Sequence, residues 1–205
     1  MDLSNPYLGM FPTVDSAVLH VLAGATKPRT GREIARLAER SQSATQRVLD
    51  RLVEHGLVLS EEAGRAHVYR LNNEHVAAAP VAMLASLRAS LFRRIGDRID
   101  DWSLPPAHLS IFGSAARGDG STRSDVDVFV VRPGEVDGDD EVWRDQLDGL
   151  AISIREWSGN HAGIVEVGEA ELDSLRRDRP PVLAKLERDA VQIHGPSARR
   201  FLRGL

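Results

Sequence analysis

Apolar residues at Val14, Val18, Leu19 and Leu22 recur at three- and four-residue spacing and predict a helix that ends near Gly24. After a loop at residues 25–28, Thr30-Gly31-Arg32-Glu33 has the form of a capping box. It opens a second helix with an apolar stripe at Ile34, Leu37 and Ala38. Ser41 or Ser43 can cap a third helix, whose Val48, Leu49, Leu52 and Val53 share one face before His55-Gly56 closes it. At 100° per residue, Ser43, Gln46, Arg47, Asp50 and Glu54 fall opposite that stripe. Leu57-Val58-Leu59 and His67-Val68-Tyr69-Arg70-Leu71 are β-prone runs joined by residues 61–65, and they predict a hairpin. An Ala-rich connection over 72–80 leads to one long predicted helix over 81–102, striped by Leu84, Leu87, Leu91, Ile95 and Ile99.

The pattern then changes period. Leu109-Ser110-Ile111-Phe112 reads as a strand that runs into Gly113-Ser114-Ala115-Ala116-Arg117-Gly118. After a polar loop comes Ser124-Asp125-Val126-Asp127-Val128-Phe129-Val130-Val131, a buried strand carrying two aspartates. Unpaired buried charge costs several kcal/mol, so these acids need a reason to be there. Alternation along a strand puts Asp125 and Asp127 on one face, about 7 Å apart, where both can turn toward a single point. That arrangement suits divalent cations whose coordination is completed by phosphates. The glycine and serine of the preceding bend allow close approach of an anion to the backbone. Trp143, Leu147, Leu150 and Ile154 mark a further helix, and residues 162–167 a strand whose only acid is Glu166. Pro180-Pro181 opens a helix with Val182, Leu183, Leu186 and Ala190, followed by an extended piece over 191–195.

Composition narrows the chemistry. With 42% apolar and 27% charged residues there is no ground for expecting disorder. The absence of cysteine excludes disulfides, thiol catalysis and thiolate metal sites, leaving His, Asp and Glu for a hard cation such as magnesium or manganese. No run approaches the roughly 18 apolar residues of a membrane span, and residues 1–10 lack a leader pattern, so a cytoplasmic protein without a membrane partner is expected. Residues 1–80 carry nine charges of each sign, so the net charge of -4 resides in 81–205. Within the balanced half, seven basic residues between Lys27 and Arg51 face only Glu33, Glu39 and Asp50, a pattern open to two readings, a phosphate-backbone footprint or a solvated helical face.

Three helices and a hairpin, with Gly31-Arg32-Glu33-Ile34-Ala35 through Gly56-Leu57-Val58 and on to Leu71, resemble the winged helix-turn-helix of small bacterial transcription regulators. That resemblance implies DNA as partner, with Ser43, Thr45, Gln46 and Arg47 at base edges and Arg51 and Arg65 on phosphates. Paired half-sites would make a homodimer natural. Such modules also serve as protein-docking units, and Asp50 and Glu54 keep that alternative open.

Gly-Ser-x-x-Arg-Gly followed by Ser-Asp-x-Asp, from Gly113 to Asp127, resembles the signature of the minimal nucleotidyltransferases of the polymerase beta superfamily. The resemblance implies a nucleoside triphosphate substrate, magnesium or manganese held by Asp125 and Asp127, and transfer of a nucleotidyl group to an acceptor hydroxyl. It further implies Gly113, Ser114 and Arg117 on the phosphates, and a third carboxylate on a later strand, for which Glu166 is the candidate. The expected fold is therefore α+β: a winged helix over 1–78 and, over 79–205, a mixed sheet flanked by helices. Besides an enzyme, two alternatives are a transcription regulator whose second module only binds a nucleotide, and an antitoxin-type protein with a toxin as partner.

Overall fold

The computed structural model describes residues 1–198, and the end of the predicted tail, 199–205, lies outside the described residues. The described residues divide into two compact units, one of Asp2 and Ser4–Leu87, the other of Met1, Leu3 and residues 88–198. None of the helices among the described residues is long and apolar enough to cross a membrane.

The first unit contains α1 (Pro6–Met10), α2 (Val14–Ala23), β1 (Arg29–Thr30), α3 (Gly31–Leu37), α4 (Gln42–Glu54), β2 (Val58–Ala63), β3 (Ala66–Leu71) and α5 (Ala78–Ala85). The capping box forms as the sequence predicts. Thr30 Oγ1 accepts from the Glu33 amide, and Glu33 Oε2 accepts from the Thr30 amide at 2.8 Å. Ser41, not Ser43, caps α4, and Gly56 leaves the helix at φ +74°. Val18, Leu22, Ile34, Val48, Leu49 and Leu52 pack under the antiparallel sheet β1-β3-β2. Leu37, expected in that stripe, is the last helical residue of α3 and stands 42% exposed, while Ala38 after it is buried. The hairpin is tighter than the sequence suggested: Glu61 and Glu62 belong to β2, and only Gly64 and Arg65 link the strands. Gly64, at φ +65°, occupies the first central position, where a two-residue turn needs left-handed backbone.

The single helix predicted over 81–102 is two helices, α5 and α6 (Leu87–Asp100), separated at Ser86. The Ser86 hydroxyl donates to the Met83 carbonyl at 2.9 Å, a local bond that competes with helix continuation. The continuous stripe in the sequence thus serves two cores. Ala78 and Val81 are buried in the first unit, and Leu91, Ile95 and Ile99 in the second.

After α6 the second unit continues with β4 (His108–Phe112), α7 (Gly113–Arg117), β5 (Val126–Arg132), α8 (Glu141–Ser158), β6 (Ala162–Gly168), a 3-10 turn (Glu169–Glu171), α9 (Leu172–Asp178), α10 (Pro181–Asp189) and β7 (Val191–His194). Its sheet order is β6-β5-β4-β7, with β5 and β6 parallel and the other pairs antiparallel. Alternation divides each strand between two packed faces. Val126, Val128 and Val130 join Leu109 and Ile111 against α6 and α8. Phe129 and Val131 join Phe112 on the other face, against Leu172 of α9 and Leu183 and Leu186 of α10. The site is built at the end of that second face.

Candidate active site

Asp127, the second residue of β5, continues the Phe129–Val131 face, and Asp125 lies just ahead of the strand. Asp127 is in register with Phe112 on β4 and with Gly163 on β6. Two glycines make room for its carboxylate. A Cβ on Gly113 would overlap Asp127 Oδ2 and stand 3.3 Å from its Cγ, and Gly113 also holds φ +67°. A Cβ on Gly163 would come within 3.2 Å of Asp127 Oδ1 and 4.0 Å of the Asp125 Cβ, so both acids border the same glycine. Asp125 is exposed and Asp127 half-buried. Burial raises the Asp127 carboxyl above the usual range; the Lys185 ammonium pulls it down, Asp125 adds to the rise, and Arg117 opposes it.

The bend that carries Gly113 and Ser114 is fixed from its far end. Gly118 closes α7 at φ +79°, and its amide donates to the Ser114 carbonyl at 2.9 Å. Arg88 of α6 donates Nη1 to the Ala116 carbonyl at 3.0 Å, and a Cβ on Gly118 would meet that guanidinium. Arg117 is engaged by carboxylates. Its Nε and Nη2 donate to Asp119 at 3.0 and 3.1 Å, and its Nη1 donates to Asp189 of α10 at 2.7 Å. The Asp189 side chain is 3% exposed and also accepts from Arg188. Hydrogen bonds from Arg188 and then Arg117, acting against desolvation, hold the Asp189 carboxyl down at about 2.

Glu166 does not join this site. It lies three positions beyond Gly163 on β6, about 10 Å along the strand, and that odd step turns it to the opposite face, in register with Val130. There it accepts from Arg132 Nε at 2.8 Å and from the Trp143 indole at 3.2 Å, and Arg144 stands 3.6 Å away. These bonds explain a glutamate between two valines by structure, correcting its nomination as third carboxylate. Among the described residues no group of three or more His, Cys, Asp or Glu side chains could hold a metal.

Asp125 and Asp127 form a two-carboxylate set, and among the described residues no hydrogen bond or ion pair reaches either. Paired hard oxygens without a protein cation at contact fit magnesium or manganese, which bind through one or two carboxylates with substrate phosphates completing the shell.

On α4, Ser43 and Arg47 are exposed, with Arg47 Nε donating to the Ser43 carbonyl at 3.3 Å. Thr45 corrects its own assignment to a base edge: it is fully buried, one turn ahead of Leu49, and its hydroxyl has no partner among the described residues. The Gln46 amide donates to Asp50 at 2.7 Å and to the Tyr69 hydroxyl at 3.0 Å. Arg51 pairs with Asp15 of α2, and Arg65 is exposed at the hairpin tip.

Residues 9–66 match the model of the MarR family, and residues 94–178 match that of the nucleotidyltransferase domain. The chain joins a MarR-family winged helix to a nucleotidyltransferase domain. No curated protein matches it. Among solved structures, a candidate nucleotidyltransferase from Sulfolobus solfataricus aligns over 52% of this chain and 82% of its own, at 19% identity and a TM-score of 0.29, too distant to transfer any residue. The matched part of the nucleotidyltransferase domain includes Gly113, Asp125, Asp127 and Gly163 and stops before α10. Lys185 and Asp189, both on α10, belong to no motif in the sequence; the packing of Leu183 and Leu186 brings that helix to the site.

Proposed function

We propose that the nucleotidyltransferase domain binds a nucleoside triphosphate with magnesium or manganese at Asp125 and Asp127 and transfers its nucleotidyl group to an acceptor hydroxyl, while the MarR-family domain binds DNA. The observation that carries this reading is the pair of carboxylates around Gly163, beside the Gly113–Ser114 bend and without a protein partner among the described residues. Asp125 and Asp127 would hold the cation, which neutralises phosphate charge when bound. Gly113 and Ser114 would let the triphosphate approach the backbone. In the transfer, the acceptor oxygen forms a bond to the α-phosphorus, the bond from that phosphorus to the bridging β-phosphate oxygen breaks, pyrophosphate departs, and the hydroxyl proton passes to water. On DNA, the exposed Ser43 and Arg47 of α4 and Arg65 of the wing are the contacts this reading retains. Incubation with labelled nucleoside triphosphates, manganese and cell extract tests the enzyme: label transfer that disappears in Asp127→Asn supports it, and its absence from the wild type counts against catalysis.

A second reading rests on a separate observation. Glu166 faces away from the aspartates, and glycine occupies the β6 position beside Asp127, so no carboxylate on β6 shares the site. A domain with this composition can sense a nucleotide without turning it over. DNA affinity that shifts with nucleotide and manganese, and that Asp125→Asn uncouples without any turnover being detectable, would favour this reading. Affinity indifferent to nucleotide would remove it.

A further inference from the structure

The cation named by the nucleotidyltransferase motif is already committed. Arg117 gives Nε and Nη2 to Asp119 and Nη1 to Asp189, in bonds of 3.0, 3.1 and 2.7 Å. Planar two-point pairing of a guanidinium with a carboxylate is among the stronger polar contacts, and a phosphate would have to displace it. Meanwhile two acids stand side by side at Gly163, and a triphosphate would bring further negative charge to them.

The residue placed to answer that charge lies on α10. Leu183 and Leu186, 2% and 1% exposed, anchor one side of the helix against the Phe112 and Phe129 face of the sheet. The other side is oriented by Asp189, whose carboxylate meets Arg117 at the end of α7. Lys185 is one helical turn before Asp189, four residues away on the same side, and is exposed. Among the described residues it makes no hydrogen bond or ion pair, and it stands on the side of α10 that Asp189 ties to Arg117 at the end of α7. It is one of only two lysines in the chain, with Lys27, in a protein whose other side-chain cations are arginine. An ammonium on a flexible stem is a compact point charge that can reach a phosphate oxygen without requiring the planar geometry of a guanidinium.

We infer that Lys185 is the phosphate-binding cation of the nucleotide site, reaching the triphosphate from α10 while Arg117, held by Asp119 and Asp189, fixes α10 to the Gly113–Ser114 bend. This inference rests on the proposed nucleotide site and adds to it a residue beyond the segment that matches the domain model.

Titration calorimetry on the full chain tests it, using the α,β-methylene triphosphates of adenosine, guanosine, cytidine and uridine with manganese, alongside manganese alone followed by electron paramagnetic resonance. The expected result is that Lys185→Met weakens the best wild-type analogue about tenfold or more, that Lys185→Arg recovers part of the loss, and that in both folded variants manganese alone is weakened far less than the analogue. If the wild type binds an analogue and Lys185→Met binds it equally well, the role of Lys185 falls and the nucleotide site stands. Lys185→Met weakening manganese alone as much as the analogue would likewise overturn it, since the lysine would then act on the carboxylates. If the wild type binds none of the four, the proposed site falls and the inference with it.

Discussion

The Asp127 carboxylate is packed against Gly113, so closely that a Cβ there would overlap its Oδ2. The two residues come from different strand ends, yet each sets the conditions for the other. Gly113→Ala would combine left-handed strain at φ +67° with this overlap. It is expected to cost about 1–3 kcal/mol of stability and to displace Asp127. Gly163→Ala, with 3.2 Å to Oδ1, should cost less. Denaturant titration of both variants checks the order, and equal or negligible losses would contradict the packing described.

The same acid should work against folding. Because burial raises the folded-state pKa of Asp127, the stability associated with this group is fully present below its unfolded pKa and is lost as pH rises through the raised folded value. Above the carboxylate range Asp127→Asn, without nucleotide or metal, should therefore have a higher denaturation midpoint than the wild type. The gain should shrink as pH falls into that range. A variant that is less stable than the wild type at pH 7 would contradict this sign.

Glu166 predicts a different phenotype. Glu166→Gln removes the charge between Arg132, Arg144 and Trp143 while keeping similar bulk. With Glu166 and Arg132 each 18% exposed, the expected loss is about 1–3 kcal/mol, with nucleotide and manganese binding unchanged. Unchanged stability together with lost manganese binding would restore Glu166 as a metal ligand.

In the MarR-family domain, Thr45→Val replaces a buried hydroxyl that has no partner among the described residues by an apolar group of the same shape. Stability should hold or rise, and affinity for DNA should not change. Arg65→Ala at the exposed wing tip should instead weaken binding across sequences and reduce the salt slope by about one unit. Fluorescence anisotropy over a salt series distinguishes them. Loss of DNA affinity in Thr45→Val with the fold intact would put Thr45 back at a base edge.

Much of this was readable from residue order. Capping at Thr30, the left-handed stop at Gly56, the hairpin, and the strand–bend–strand from Leu109 to Val131 depend on neighbours a few positions apart, so local periodicity and turn chemistry suffice to predict them. Asp125 and Asp127 do border one point, but Asp125 lies just ahead of β5, so it is their common approach to Gly163 and not strand alternation that brings them together. Other features depended on which distant segments pack together. The stripe over 81–102 looks continuous until its members join separate cores across Ser86. The burial of Thr45, by contrast, follows from helical spacing alone, since it precedes Val48, Leu49 and Leu52 by three, four and seven residues. Glu166 looked like a partner for the aspartates because a sequence does not state the register between β5 and β6. Pairing Asp127 with Gly163 put the glutamate an odd number of residues away, on the far face among arginines. Lys185 and Asp189 reach the site only because Leu183 and Leu186 bury α10 beside it, and Asp189 meets Arg117 across a separation of 72 residues that no local pattern encodes.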